Sequence, residues 1–175
     1  MYWRKKTLNL NSQLWILNQQ PTKTYTVEEA KRKLEAYCAY QDRCHKEVRE
    51  KLIQMRMIPD AVDAIMYHLL QHKFLDEERF ARSFARGKFR HKKWGKNRIK
   101  QELKQREIGT YLINKAFTEI PEEEYRNTFD ALAQKRFDQL TEKDKYKKRK
   151  KLADYLMYRG WPGDWVYEKA KALIP

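Results

Sequence analysis

The chain is poor in residues that break a backbone: 175 residues hold only five glycines and five prolines. Few tight turns or strand breaks are therefore available. Valine is scarce, and no apolar/polar alternation of strand length appears after residue 25, so a β-sheet has nothing to grow from. Two cysteines, Cys38 and Cys44, are too few for a disulfide framework and fit a reducing compartment. Long apolar runs are missing as well. The opening stretch MYWRKKTLNLNSQLWILNQQ lacks the apolar core of a signal peptide, and Leu14 to Leu17 is too short to export or span anything. A cytoplasmic location is expected. A glycine-rich phosphate loop is absent too.

What is present is helix-forming and basic. Leu, Ala, Lys, Glu, Gln and Arg dominate, and these favour helices. The formal net charge is +15 and the sequence pI is near 9.7. So large a surplus favours polyanionic partners, either nucleic acid or a protein coated with acid or wrapped on DNA.

The apolar residues repeat. Val48, Leu52, Met57, Val62, Met66 and Leu69 recur 51 positions later as Ile99, Leu103, Ile108, Ile113, Phe117 and Ile120. They recur again, 53 further on, as Leu152, Leu156, Trp161, Val166, Ala170 and Leu173. The pattern is helix, short turn, helix. Ahead of each set, two acids precede an i, i+4 apolar pair: Ala30 and Leu34, Phe80 and Phe84, Tyr125 and Phe129. Thr26 and Glu29 form a capping-box signature that opens the body. The expected helices are 26–40, 44–56 and 59–71, then 76–92, 96–106 and 110–120, then 122–139, 145–158 and 162–173. Asp60 and Asp164 are expected as caps. The division is thus an arm at 1–25 and three-helix repeats at 26–72, 73–120 and 121–175. An all-α array of three stacked units, elongated and curved, follows, because a unit of this size buries too little apolar surface alone.

Enzyme readings find little support. His68 and His72 share a helix face but lack the intervening Glu of a metalloprotease signature, and Cys38 and Cys44 have the wrong spacing for a zinc knuckle. Cys44 and His45 are sequence neighbours and point apart on a helix. No reaction, metal or cofactor is nominated. Surface chemistry remains. Between Arg86 and Arg106 stand ten Lys or Arg against one acid, Glu102. Lys92, Lys93, Lys96, Arg98, Lys100 and Lys104 in the second unit, with Lys147, Lys148 and Lys151 in the third, are the candidate partner-binding residues, suited to phosphate or acidic protein. Trp94, Trp161 and Trp165 sit at unit turns and are read as packing residues.

The opening Asp76-Glu77-Glu78-Arg79-Phe80-Ala81, followed by a basic helix, a glycine and Arg98-Ile99-Lys100-Gln101-Glu102-Leu103, resembles the RecX family. The segment YCAYQDRCHKEVREKL is similar to the first-repeat motif of that family. One departure stands out: Arg106-Glu107-Ile108 replaces the family's usual Lys-Gly-Ile, and glycine holds the matching place only at Gly160. The resemblance implies a monomeric, non-enzymatic regulator that binds the RecA–single-stranded-DNA filament and inhibits recombinase ATPase and strand exchange. Single-stranded DNA is a second expected contact, and no membrane is involved. Read from charge and repeats alone, a direct nucleic-acid binder and an interaction scaffold stay open.

Overall fold

The computed structural model describes residues 24–175, and among these it places nine helices and no strand. They are α1 (Val27–Tyr40), α2 (His45–Gln54), α3 (Pro59–Gln71), α4 (Glu77–Lys92), α5 (Lys96–Gln105), α6 (Thr110–Phe117), α7 (Glu122–Asp138), α8 (Lys145–Tyr158) and α9 (Gly163–Leu173). Each expected helix is present, with ends shifted by three residues at most. The arm expected at 1–25 lies outside the described residues, apart from Thr24 and Tyr25.

Local chemistry sets the starts. The Thr26 side chain accepts from the Glu29 amide while the Glu29 carboxylate accepts from the Thr26 amide, closing the capping box. Asp76 caps α4 and Asp144 caps α8 in the same way. The expected caps Asp60 and Asp164 are not caps. Ile58 and Pro162 hold those positions, and the two acids fall in the first turn. Pro59 takes the first helical place of α3, where its missing N–H costs nothing, and so moves the boundary back.

Helix ends repeat as faithfully as helix cores. Arg56, Glu107 and Gly160, at the ends of α2, α5 and α8, have φ of 59°, 64° and 84°. Each turns the chain into the third helix of its unit.

The buried faces follow most of the periodic columns, but Met57, Phe117 and Leu173 are only half-buried, and Met55, Ala116 and Ile174 beside them are the buried residues. In α1 the buried column is Ala30, Leu34 and Cys38; in α7 it is Tyr125, Phe129 and Ala133. In α4 it is Ala81, Ala85 and Phe89, one residue later than the Phe80–Phe84 pair, although Phe80 is buried too. Two alanines let α6 approach α4 closely, and the bulkier phenylalanines take the flank.

Two cores result. Residues of α1 to α3 enclose one, around Leu34, Leu52, Ile65 and Leu69. The other runs unbroken from Phe80 to Ile174, and from the first unit it includes only Cys44. Among the described residues, the hydrogen bonds and ion pairs that leave residues 24–72 end on residues 73–107. The order along the array is therefore first, second, third.

Candidate interaction surface

The start of α5 is the contact between the second and third units. Gly95 N donates to Arg159 O at 2.8 Å and Asn97 N donates to Gly160 O at 3.2 Å. A Cβ at Gly95 would lie 2.2 Å from Gly160 O, and one at Gly160 would lie 2.3 Å from Arg98 N. Glycine is needed on both sides of this contact. Lys96 N donates to Tyr125 Oη at 3.0 Å. Burial holds the Tyr125 phenol neutral and pushes its pKa up to about 12, against the lowering effect of that amide.

Several of the basic side chains singled out from sequence are engaged here. Lys96 Nζ lies 3.0 Å from the Glu122 carboxylate and over the Tyr125 ring. The Arg98 guanidinium sits between two rings, 4.1 Å from Trp94 and 4.4 Å from Tyr158, and donates to Tyr158 O. In the third unit Lys151 pairs with Glu142 at 2.7 Å, and Lys148 lies over Phe137. The Glu142 carboxyl is held below its ordinary value chiefly by the Lys151 hydrogen bond.

The rest form no ion pair among the described residues. Lys100 and Lys104, one turn apart on the outer face of α5, are exposed, and so is Lys147 on α8. Lys92 and Lys93 are exposed neighbours that line different clefts: Lys92 faces the first unit, Lys93 faces α7. The nine residues therefore form no single patch. They divide into contacts between units, contacts within the third unit, and free cations on separate faces.

Sequence reasoning missed a ladder of alternating cations and rings along the second unit. Arg106 and Lys88 lie over Phe84 at 5.0 and 5.1 Å, Lys88 lies over Trp94 at 5.3 Å, and Arg98 links Trp94 to Tyr158. Only its Phe84–Lys88 step, at i, i+4, was visible in the sequence. Trp161 is fully packed against Tyr125 and Phe129, as a packing residue should be, whereas Trp94 and Trp165 are half-buried. His68 Nε2 meets Glu35 at 2.6 Å and its ring lies against His72.

This architecture has counterparts. The family model for the second three-helix domain of RecX matches residues 76–116, and that for the third matches residues 122–169. The Regulatory protein RecX of Vibrio parahaemolyticus is 31% identical over 120 residues, covering 69% of this chain and 76% of that protein. The chain belongs to the RecX family. The RecX of Clostridium botulinum is 30% identical over 131 residues, 74% of this chain, and the chain spans 61% of that relative's length. Among solved structures, RecX from Lactobacillus salivarius shares the fold at a TM-score of 0.70 and 20% identity, covering 84% of this chain and 96% of that one. A second crystal structure of regulatory protein RecX matches equally well, at 22% identity and over 93% of this chain.

Proposed function

We propose that this RecX-family chain binds the RecA–single-stranded-DNA filament and inhibits recombinase ATPase and strand exchange, acting as a non-enzymatic, monomeric cytoplasmic regulator. On this reading it is organised as an arm at 1–25 and repeats at 26–72, 73–120 and 121–175. The observation that carries the reading is the array of three units in a chain of net charge +15, with Lys92, Lys93, Lys100, Lys104 and Lys147 in no ion pair among the described residues. An array contacts several protomers of a polymer at once, so modest contacts add through effective concentration. Its charge speeds encounter with a polyanion-wrapped filament.

The test is recombinase ATPase on single-stranded DNA during titration of the chain. Inhibition at well below one molecule per protomer is expected. Full ATPase at stoichiometric excess, with the chain shown to be folded, would remove the filament reading. In that case tight binding to bare single strands with a steep salt slope would make it a direct nucleic-acid binder.

A further inference from the structure

The side of the array formed by α1, α4 and α7 carries three clefts, and they are one cleft repeated. The first, of about 560 Å³, is lined by Lys33, Ala36, Tyr37 and Met55. The second, of about 400 Å³, is lined by Phe84, Gly87, Lys88 and Arg106, with Asp42 of the preceding unit. The third, of about 610 Å³, is lined by Thr128, Ala131 and Leu132, with Lys93 of the preceding unit. The 51-residue offset carries Lys33, Ala36, Tyr37 and Met55 onto Phe84, Gly87, Lys88 and Arg106. It also carries Asp42 onto Lys93. The offset between the buried columns of α4 and α7, 44 residues from Ala81 to Tyr125, carries Phe84, Gly87 and Lys88 onto Thr128, Ala131 and Leu132.

Each cleft therefore has a very small residue at the same place in its lining: Ala36, Gly87, Ala131. Gly87 is the informative one. It stands inside α4, where glycine disfavours the helix. Its φ is not positive, and a Cβ there would meet nothing within 4 Å. Neither backbone conformation nor packing calls for glycine, in contrast to Gly95 and Gly160. The space it leaves opens outward.

The rims are basic. Lys33, Lys51, Lys88, Lys92, Lys93 and Lys135 line the three clefts, and none forms an ion pair among the described residues. Of the acids present, Asp42, Glu47 and Glu124 already face Arg79, Arg106 and Arg90, and Glu123 alone does not. The rings are poor platforms for bases. Arg43 covers Tyr37 at 4.0 Å, Lys88 and Arg106 cover Phe84, and the third cleft offers Thr128 and Leu132 in place of a ring. A small floor between basic rims fits an apolar protein side chain flanked by acids.

We propose that the three clefts form one periodic docking surface for a polymeric protein, each cleft taking an apolar side chain with acidic neighbours from a successive subunit. The inference rests on the filament reading above and adds a contact on α1, α4 and α7 to the free cations of α5 and α8.

The test uses the full chain with Ala36→Phe, Gly87→Phe and Ala131→Phe, singly and together, bound to RecA filaments on single-stranded DNA and to the bare strand. All three positions are exposed or half-exposed, so the helices should persist, and circular dichroism checks this. Each single change should weaken filament binding by about fivefold and the triple change by about a hundredfold, as linked contacts are lost together. Gly87→Ala, which restores the small residue of the other two clefts, should bind like the parent and melt higher. A folded triple variant that binds filament like a binding parent overturns the proposal. Equal loss on the bare strand also overturns it, in favour of a nucleic-acid occupant. A parent that binds no filament at all removes the filament reading itself. If the triple variant does not fold, Lys33→Ala with Lys92→Ala and Lys135→Ala leaves the clefts open and decides the matter. That variant should lose about tenfold in filament affinity, and parent-like affinity would overturn the proposal.

Discussion

The two joints of the array occupy equivalent places, and only one of them is closed by backbone contacts and an aromatic core. Between the second and third units, glycines at Gly95 and Gly160 bring backbones into contact, and Tyr125, Phe129, Trp161 and Trp165 pack around them. Between the first and second units the same positions are Cys44 and Glu107. No backbone pair is shared there. Side chains make the joint: Lys46–Glu107 at 3.2 Å, His45–Glu77 at 3.3 Å, Arg79–Asp42 at 2.8 Å and Arg106–Glu47 at 3.5 Å. Arg43 Nε, His45 Nε2 and Glu47 Oε2 are buried around it with no hydrogen-bond partner among the described residues. One repeat thus produces a continuous aromatic core with backbone contacts at one joint, with the Lys96–Glu122 and Arg90–Glu124 pairs at its edge, and a joint made by side-chain ion pairs at the other. The departure from the family's Lys-Gly-Ile has its physical account here: Glu107 keeps the left-handed turn that glycine would make and uses its side chain to hold Lys46.

The sharpest break of this comparison is at the glycines. Gly160→Ala should cost about 3–5 kcal/mol in urea unfolding, because its Cβ collides with Arg98 and its φ is positive. At the equivalent place, Glu107→Gly should change stability by less than about 1 kcal/mol, the relieved φ offsetting a lost surface ion pair. Equal costs at the two positions would mean the joints do not differ as described.

Tyr125 tests the same joint by pH. Its folded pKa, near 12, lies above the ordinary tyrosine value of about 10. Its contribution is therefore whole below pH 10 and is lost as pH rises from about 10 to 12, to a total of about 2–3 kcal/mol. Tyr125→Phe should remove that part of the alkaline loss. It should also cost about 1–2 kcal/mol at neutral pH, by orphaning the Lys96 amide. An unchanged alkaline limb in the variant would refute the assignment.

Salt should act on the other joint. Raising NaCl from 50 mM to 1 M should speed amide exchange in α1–α3 severalfold relative to α4–α9, because ion pairs are screened and backbone contacts are not. The smallest effect is expected from acid. Hydrogen bonds from Lys115 to Glu78, and from Arg82 to Glu119, hold both carboxyls below their ordinary values. Their contribution is present above the unfolded value, near pH 4.3, and fades as pH falls through the lower folded values. Glu119→Gln should flatten the stability of the second unit against pH in that acidic window and leave it unchanged in slope near pH 7.

Much of the architecture was legible before any coordinates. The 51- and 53-residue offsets named most of the buried columns between Val48 and Ala170, since a helix that must bury one face repeats its apolar residues at a fixed spacing, while Met57, Phe117 and Leu173 at the margins are only half-buried. The first helix of the second unit was read one residue early. Alanine carries so little apolar signal that Phe80 and Phe84 outweighed Ala81 and Ala85 in the pattern. The candidate surface was less legible. Lys96 and Arg98 look like free cations in sequence, and only the fold shows Glu122, Tyr125, Trp94 and Tyr158 against them.

By itself the sequence determined the helices of the described residues, their ends to within about three residues, the net charge and membership of the repeat. These depend on propensity, capping and periodicity, and all of them act within a few residues. The tertiary structure alone decided which cations are occupied, why Gly95 and Gly160 are required while Gly87 is not, and that Ala36, Gly87 and Ala131 lie in equivalent clefts. Those facts depend on what stands opposite a side chain, and the deciding partners are often distant in the chain, 26 positions for Lys96 and Glu122 and 65 for Gly95 and Gly160.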